Sequence, residues 1–485
     1  MSYFTDLALQ YIDGEWRPGN GSWDIIDFNP YDGEKLAAIT VATTEEIDLA
    51  YRSAAREQPA WAATNPYSRR IVFERAIRVI EDREQEITEA IIAELGGTRL
   101  KAAFELHLTK EFLREAIQLA LRAEGRIMPS PVDGKENRVY RLPVGVVGVI
   151  SPFNFPFLLS LKSVAPALAL GNAVVLKPHQ NTPVCGGALV AKVLETAGLP
   201  PGLLNVVITD IAEVGDALIE HPVPKVISFT GSDRVGRHVA TVAANGFKKA
   251  VLELGGNSPL LVLDDADLDY AVDAAVFSRF VHQGQVCMAA NRIIVDRAVE
   301  REFTEKFVAK VGTLRVGDPR EPTTHIGPLI NSGRAESVTA VVDQAVAEGA
   351  TALVRGRTDG NLVAPTVLTD VPADAAVLRQ EVFGPVALII PVDGEEEAVR
   401  AANDTPYGLG GAVHTGNTER GVAVARRIET GMVHVNDATV ADEPIVPFGG
   451  EKNSGLGRLN GEQMVEAFTT TKWISVQHGR SAFPF

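Results

Sequence analysis

The sequence predicts an α/β protein whose first unit is a doubly wound, mostly parallel sheet. Three observations lead there: a chain too long for one core, a regular alternation of β-branched runs with amphipathic helices, and glycine or proline at many of the joints. A hydrophobic core stops growing near roughly 250–300 residues, so 485 residues divide into two or three domains. From residue 144 the elements can be counted. "VGVVGVI" (144–150) reads as a buried strand, 157–170 as a helix stopped by Gly171-Asn172, and "AVVLK" (173–177) as the next strand. A helix over 183–197, strand "NVVI" (205–208), a short helix over 212–220, strand "KVISFT" (225–230), a helix over 233–244 and strand "KAVLEL" (249–254) follow. Strand, helix and strand in succession mean right-handed crossovers and a parallel sheet covered on both faces, a nucleotide-binding layout.

After Leu254 a second α/β unit begins, with strand candidates "PLLVL", "RIIVD", "APTVL", "PVALIIPV", "GGAVHT" and "GMVHVN". Residues 1–122 are read as a strand-rich start and then helices, including a long charged pattern over 71–95, packed on the first sheet. Between these and residue 144 lies "GRIMPSPVDGKENRVYRLP", in which Asp133-Gly134 is a hairpin signal. An isolated hairpin is marginal in water and needs a partner, for which the extended run "TTTKWISV" (469–476) is the candidate. Exposed strand edges of this kind favour pairing with another subunit, so a homodimer or homotetramer is expected.

Composition removes several classes. Forty-six basic against 62 acidic residues leave a net charge of −16 without a Lys/Arg cluster, which argues against nucleic acid and anionic membrane as partners. The start "MSYFTDLALQ" lacks a secretory pattern, and the most apolar run, "LPVGVVGVISPFNFPFLLSL", is broken by prolines, Ser151 and Asn154. A cytoplasmic protein is expected. There is no Cys-x-x-Cys, His-Glu-x-x-His, Gly-x-Ser-x-Gly or Gly-x4-Gly-Lys-Ser/Thr, and "SGLGRLNG" misses the dinucleotide fingerprint by one residue. Only two cysteines are present. Cys185 falls in a helical pattern and reads as a small core residue. Cys287 lies in "HQGQVCMAANR", where the setting is unusual.

Six stretches then occur in a fixed order: "SPFNFP" with Asn154, "LKP" with Lys177, "FTGS" with Gly231, "LELGGNSP" with Glu253, "GQVC" with Cys287 and "EVFGP" with Glu381. In this combination, running from "IDGEWRPG" near residue 12 to "TTTKW" near 470, the chain resembles the NAD(P)-dependent aldehyde dehydrogenase superfamily. The run "SVAPALALGNAVVLKP…NTPVCGG" is further similar to the benzaldehyde and vanillin dehydrogenase branch. The resemblance implies an aldehyde dehydrogenase-like fold. Its parts are a cofactor-binding domain from 1–122 and 144–253, a catalytic domain from 254–457, and a β oligomerisation arm from 123–143 and 458–485. It implies oxidation of an aldehyde to its acid with NAD or NADP.

The roles carried over make chemical sense. Cys287 becomes the nucleophile, because a thiohemiacetal oxyanion expels hydride where an aldehyde does not. Asn154 and the Cys287 backbone N–H hold that oxyanion. Glu253, with a pKa raised by burial, activates water against the thioester, and its presence favours release of a free acid. Ser151, Gly231, Ser232 and Gly236 are assigned to the dinucleotide, with free N–H groups where strand turns into helix. Lys177 is assigned to the adenosine ribose, Glu381 to the nicotinamide ribose and Phe383 to packing beside the nicotinamide.

Two departures from the family pattern carry consequences. Many relatives have an acid three positions after the lysine; Gln180 here does not repel a 2′-phosphate, so use of both NAD and NADP is expected. Phe153 replaces the usual tryptophan. Phe155, Leu159, Val286, Met288, Val440 and Ala441 are candidates to line the aldehyde tunnel, and these apolar residues suit an aromatic aldehyde, with Lys162 near the wall as a discordant charge. A semialdehyde or aliphatic aldehyde dehydrogenase of the same mechanism, a cofactor-free thioesterase and a non-catalytic binding protein stay as alternatives.

Overall fold

The computed structural model describes residues 3–485. Its first sheet has eight strands. Five are parallel, in the spatial order Leu204–Val206, Ala173–Lys177, Val146–Ile150, Val226–Thr230, Lys249–Glu253. These strands are buried along most of their length, as expected for strands covered by helices on both sides. Short antiparallel strands close the edges, Gln10–Ile12 with Glu15–Arg17 on one side and Gly455–Leu456 on the other. The chain reverses its winding between Val146–Ile150 and Val226–Thr230, and a crevice opens there at the carboxyl ends of the strands.

The second sheet has seven strands, in the order Thr351–Val354, Thr366–Thr369, Val386–Val392, Ala290–Asp296, Ser258–Val262, Ala412–His414, His434–Val435. Only the first is antiparallel to its neighbour. A third, three-stranded antiparallel sheet joins the hairpin to the C-terminal segment: Lys135–Pro143 pairs along its whole length with Thr469–Gln477 and at its other edge with Arg126–Met128. Gly134, at φ +70°, takes the left-handed position that its turn demands. Among the described residues, no helix is long and apolar enough to cross a membrane.

Several elements differ from the sequence reading. The charged pattern over 71–95 is two helices, Pro66–Asp82 and Glu84–Leu95, separated where Arg83 leaves helical geometry (φ −117°, ψ 19°). The helix expected over 183–197 opens with a π-helical turn, Val184–Ala188, before Leu189–Thr196. Gly187 packs so closely there that a Cβ would lie 2.6 Å from Pro178 Cγ. The helix expected over 212–220 is two short ones, Ile211–Val214 and Ala217–Glu220, parted at Gly215. The strand expected over 205–208 ends at Val206, and the Ile208 N–H donates to the Gln10 side chain at 2.6 Å.

The helix Pro156–Ala169 runs through the centre of the first unit and is buried on nearly every face. Its N-terminus has no side-chain cap of its own. Glu105, from the helix Arg99–Leu119, substitutes for one: its Oε1 accepts from the Phe157 and Leu158 N–H groups at 3.0 and 3.1 Å, while Lys101 pairs with the other oxygen. Two orphan donors are thereby satisfied in a place water does not reach. The turn just before the helix is fixed as a result, and Asn154 stands on that turn.

Candidate active site

The crevice continues into a cleft of about 550 Å³ between the two large sheets, within the size range of small-molecule and cofactor sites. Each strand of the first sheet that reaches it delivers something. Ser151 and Asn154 follow Val146–Ile150, Lys177 ends its strand, Gly231 and Ser232 follow Val226–Thr230, and Glu253 ends Lys249–Glu253; all line the cleft, as do Cys287 and Glu381 from the second unit.

Cys287 is carried by a loop of unusual backbone. His282 (φ 50°, ψ 42°), Gln283 (φ 56°, ψ 23°) and Gly284 (φ 72°) are three left-handed residues in a row. Such a conformation costs about 1–2 kcal/mol at each non-glycine position and persists only where the surroundings impose it. They do so here. Gln283 Nε2 donates to the carbonyls of Gly96 and Pro328 at 3.1 and 2.9 Å, Arg279 Nη2 donates to those of Gly284 and Gly384 at 2.9 and 2.8 Å, and Gln285 Oε1 accepts from the Ile330 N–H at 3.1 Å. At Gly284 a Cβ would sit 2.5 Å from the Gly384 oxygen.

The loop is tied to the turn after Val146–Ile150 by one bond, Asn154 Nδ2 to the Gln285 carbonyl at 3.0 Å. One amide hydrogen is thus used and the second is left for the cleft. Among the described residues the backbone N–H of Cys287 has no acceptor. The glycines of "LELGG" explain why that motif accompanies "GQVC". A Cβ on Gly255 would lie 2.5 Å from Glu381 Oε2, and one on Gly256 2.3 Å from the Cys287 carbonyl oxygen, so the two segments meet only through bare backbone.

Burial governs the protonation of the site. It pushes the Cys287 thiol up to about 12, with Glu381 and Glu253 adding to the effect. Burial raises the Glu253 carboxyl to about 8, partly offset by the Lys162 ammonium. Both Glu253 oxygens are enclosed and lack a hydrogen-bond partner among the described residues. Glu381, raised by burial to about 7, accepts from the Gly256 N–H at 3.0 Å. Lys177 is lowered by burial, opposed by the charge of Asp210.

The arm of the cleft lined by Ser151, Lys177, Gln180, Ser232 and Phe383 fits a dinucleotide. The helix Asp233–Asn245 points its N-terminus there, capped by Ser232 Oγ on the Val235 N–H at 3.4 Å, and its first-turn N–H groups have no partner within the helix. Ser151 Oγ is buried without a partner among the described residues. Phe153 stands edge-on to Phe383 at 5.8 Å and tilted to His179 at 5.3 Å, so the wall stays aromatic without tryptophan.

Three expectations need correction. The Gly231 N–H is not free, since it continues the sheet ladder to the Glu253 carbonyl at 3.0 Å. Gly236 does not line the cleft: it lies inside the helix, donates to the Ser232 carbonyl at 2.8 Å, and is small because a Cβ would meet Leu254 at 2.3 Å. Ala441 is also outside the lining, between Val440 and Asp442, which both face the cleft.

On the other arm Phe155, Leu159, Val286, Met288 and Val440 line the wall as expected, joined by Phe104, Leu108, Leu158 and Phe448. Phe104 and Leu108 belong to a stripe on the helix Arg99–Leu119 that continues to Phe112 behind the wall. The i, i+4, i+8 spacing is visible in the sequence, but any core helix shows it. Lys162 is no isolated cation; its ammonium donates to Asp442 Oδ2 at 2.6 Å.

The aldehyde dehydrogenase family model matches residues 16–474. The chain is 55% identical over 485 residues to the benzaldehyde dehydrogenase of Bacillus subtilis (strain 168), covering all of both chains. It is 46% identical over 474 residues to a vanillin dehydrogenase of Corynebacterium glutamicum, covering 97% of this chain and 98% of that one. The crystal structure of an NAD-dependent benzaldehyde dehydrogenase from Corynebacterium glutamicum superposes with a TM-score of 0.91 at 43% identity, covering 98% of each chain. This chain belongs to the aldehyde dehydrogenase family.

Proposed function

We propose that the enzyme oxidises aromatic aldehydes of the benzaldehyde and vanillin type to carboxylic acids, using NAD or NADP. The observation that carries this reading is the convergence of Cys287, Asn154 and Glu253 on one cleft whose substrate arm is walled by aromatic and aliphatic side chains. In the proposed mechanism Cys287 releases its proton to solvent, and the sulfur adds to the carbonyl carbon. The second amide hydrogen of Asn154 and the Cys287 N–H hold the oxyanion, in a site where water does not dilute their effect. Oxidised nicotinamide, when bound, would supply the hydride acceptor. Lys177 and Glu381 would hold the two riboses, and the N-terminus of the helix Asp233–Asn245 would receive the pyrophosphate. Glu253 in its carboxylate form then removes a proton from the water that attacks the thioester and passes it to solvent, and Cys287 leaves as thiolate. With a pKa near 8, Glu253 becomes a more populated base as pH rises through that value.

The test is an aldehyde panel followed by NADH absorbance. Benzaldehyde and vanillin are expected to exceed succinic semialdehyde and a short aliphatic aldehyde in kcat/KM, whereas acid formation without NADH or NADPH would contradict the reading. The enzyme is further proposed to be a homodimer or homotetramer, supported by Ile127 (75% exposed) and Trp473 (63% exposed) on the three-stranded sheet. Light scattering that gives the monomer mass would refute it.

A further inference from the structure

We propose that Lys162 and Asp442 recognise a hydroxyl group on the substrate ring, which makes hydroxylated benzaldehydes the preferred class; the inference rests on the aromatic-aldehyde reading above. Both residues line the cleft, and their side chains are 2% and 7% exposed. Around them the wall is apolar apart from Glu253, on which both charges act. The Lys162 ammonium lies 3.5 Å from the ring centre of Phe448 and 5.0 Å from that of Phe112. Among the described residues Asp442 Oδ2, at 2.6 Å, is the only oxygen within its hydrogen-bond reach. Of three ammonium donors, then, one meets an oxygen and the others meet at best aromatic faces.

Asp442 is held from behind. Buried Asn460 donates from Nδ2 to Asp442 Oδ1 at 2.8 Å and to the Glu443 carbonyl at 3.0 Å. The carboxylate therefore cannot swing away without leaving one buried Asn460 amide hydrogen unpaired. As a stabilising device the pair is poorly chosen, because well-packed apolar residues commonly do as well as a buried ion pair or better. Its position on the substrate arm supplies a different reason for it. A fixed acceptor next to an incompletely bonded donor complements a phenolic hydroxyl, which accepts from Lys162 and donates to Asp442. An unsubstituted ring offers neither bond, and a ring carboxylate would bring a negative charge against Asp442.

The test compares kcat/KM for 4-hydroxybenzaldehyde and 3-hydroxybenzaldehyde, each divided by kcat/KM for benzaldehyde. Any general effect of Lys162 on Glu253 cancels in these ratios. In Lys162→Met, and in Lys162→Met combined with Asp442→Leu, which leaves no stranded carboxylate, the ratio for at least one hydroxy isomer is expected to fall about tenfold or more, as for loss of a hydrogen bond to a charged group. A smaller change in both ratios overturns the proposal. Should neither variant fold, dead-end inhibition of the unaltered enzyme decides: phenol is expected to bind about tenfold or more tighter than toluene, and any smaller preference overturns it. If the unaltered enzyme turns over aliphatic but no aromatic aldehydes, the aromatic reading itself fails; aromatic turnover with unmoved ratios removes only the role of the pair.

Discussion

Cys185 is buried and Cys287 half-buried, and desolvation holds both thiols above their ordinary range. They differ in what faces the sulfur. Cys185 is fully enclosed in the π-helical turn Val184–Ala188, beneath the Glu94 carboxylate, which accepts from the Val184 and Cys185 N–H groups at 2.7 Å each. Cys287 opens onto a cleft that also holds Asn154, Glu253 and Glu381. Resting acidity does not separate the enclosed cysteine from the proposed nucleophile. Access to a cleft shared with a carboxyl group and a side-chain amide does.

Exchanging the two cysteines gives the largest expected contrast. Cys287→Ala should lower kcat/KM by about 10⁴-fold or more, while Cys185→Ala should keep turnover and lose about 1 kcal/mol in urea unfolding. Comparable loss of activity in both would erase the distinction. Asn154→Ala should lower kcat by about 10²–10³-fold with the Cys287 thiol still titratable by a thiol reagent. A smaller loss would leave the oxyanion to the backbone alone. The smallest effect belongs to the cofactor arm, where Asp210 faces the cleft and its charge acts on Lys177. NAD should give the higher kcat/KM, and Asp210→Asn should narrow its lead over NADP by roughly fivefold. The asparagine can still accept the Ala212 N–H that Asp210 now binds at 2.7 Å. An unchanged ratio would place Asp210 away from the 2′-phosphate.

How much of this is legible in the sequence depends on the range of the interaction. The order of strands in the first unit follows from local alternation, and Cys287, Glu253 and Asn154 stand in short motifs whose members act together. The left-handed run is hidden because His282 and Gln283, unlike glycine, do not advertise positive φ. Phe104 and Leu108 read as core because a helical stripe does not reveal what it faces. Lys162 looks like a stray charge until the fold brings it to Asp442, 280 residues away. The expectation of a free N–H at Gly236 fails for a similar reason: strand-to-helix glycines can serve a ligand or, as here, a leucine packed at 2.3 Å from the missing Cβ.

Cys287 is proposed to carry the acyl group and Glu253 to release it. Mass spectrometry of Glu253→Gln after mixing with benzaldehyde and NAD tests this directly. One burst of NADH is expected, followed by a benzoyl thioester on the peptide bearing Cys287. Steady turnover without an adduct, or an adduct on another residue, would contradict it.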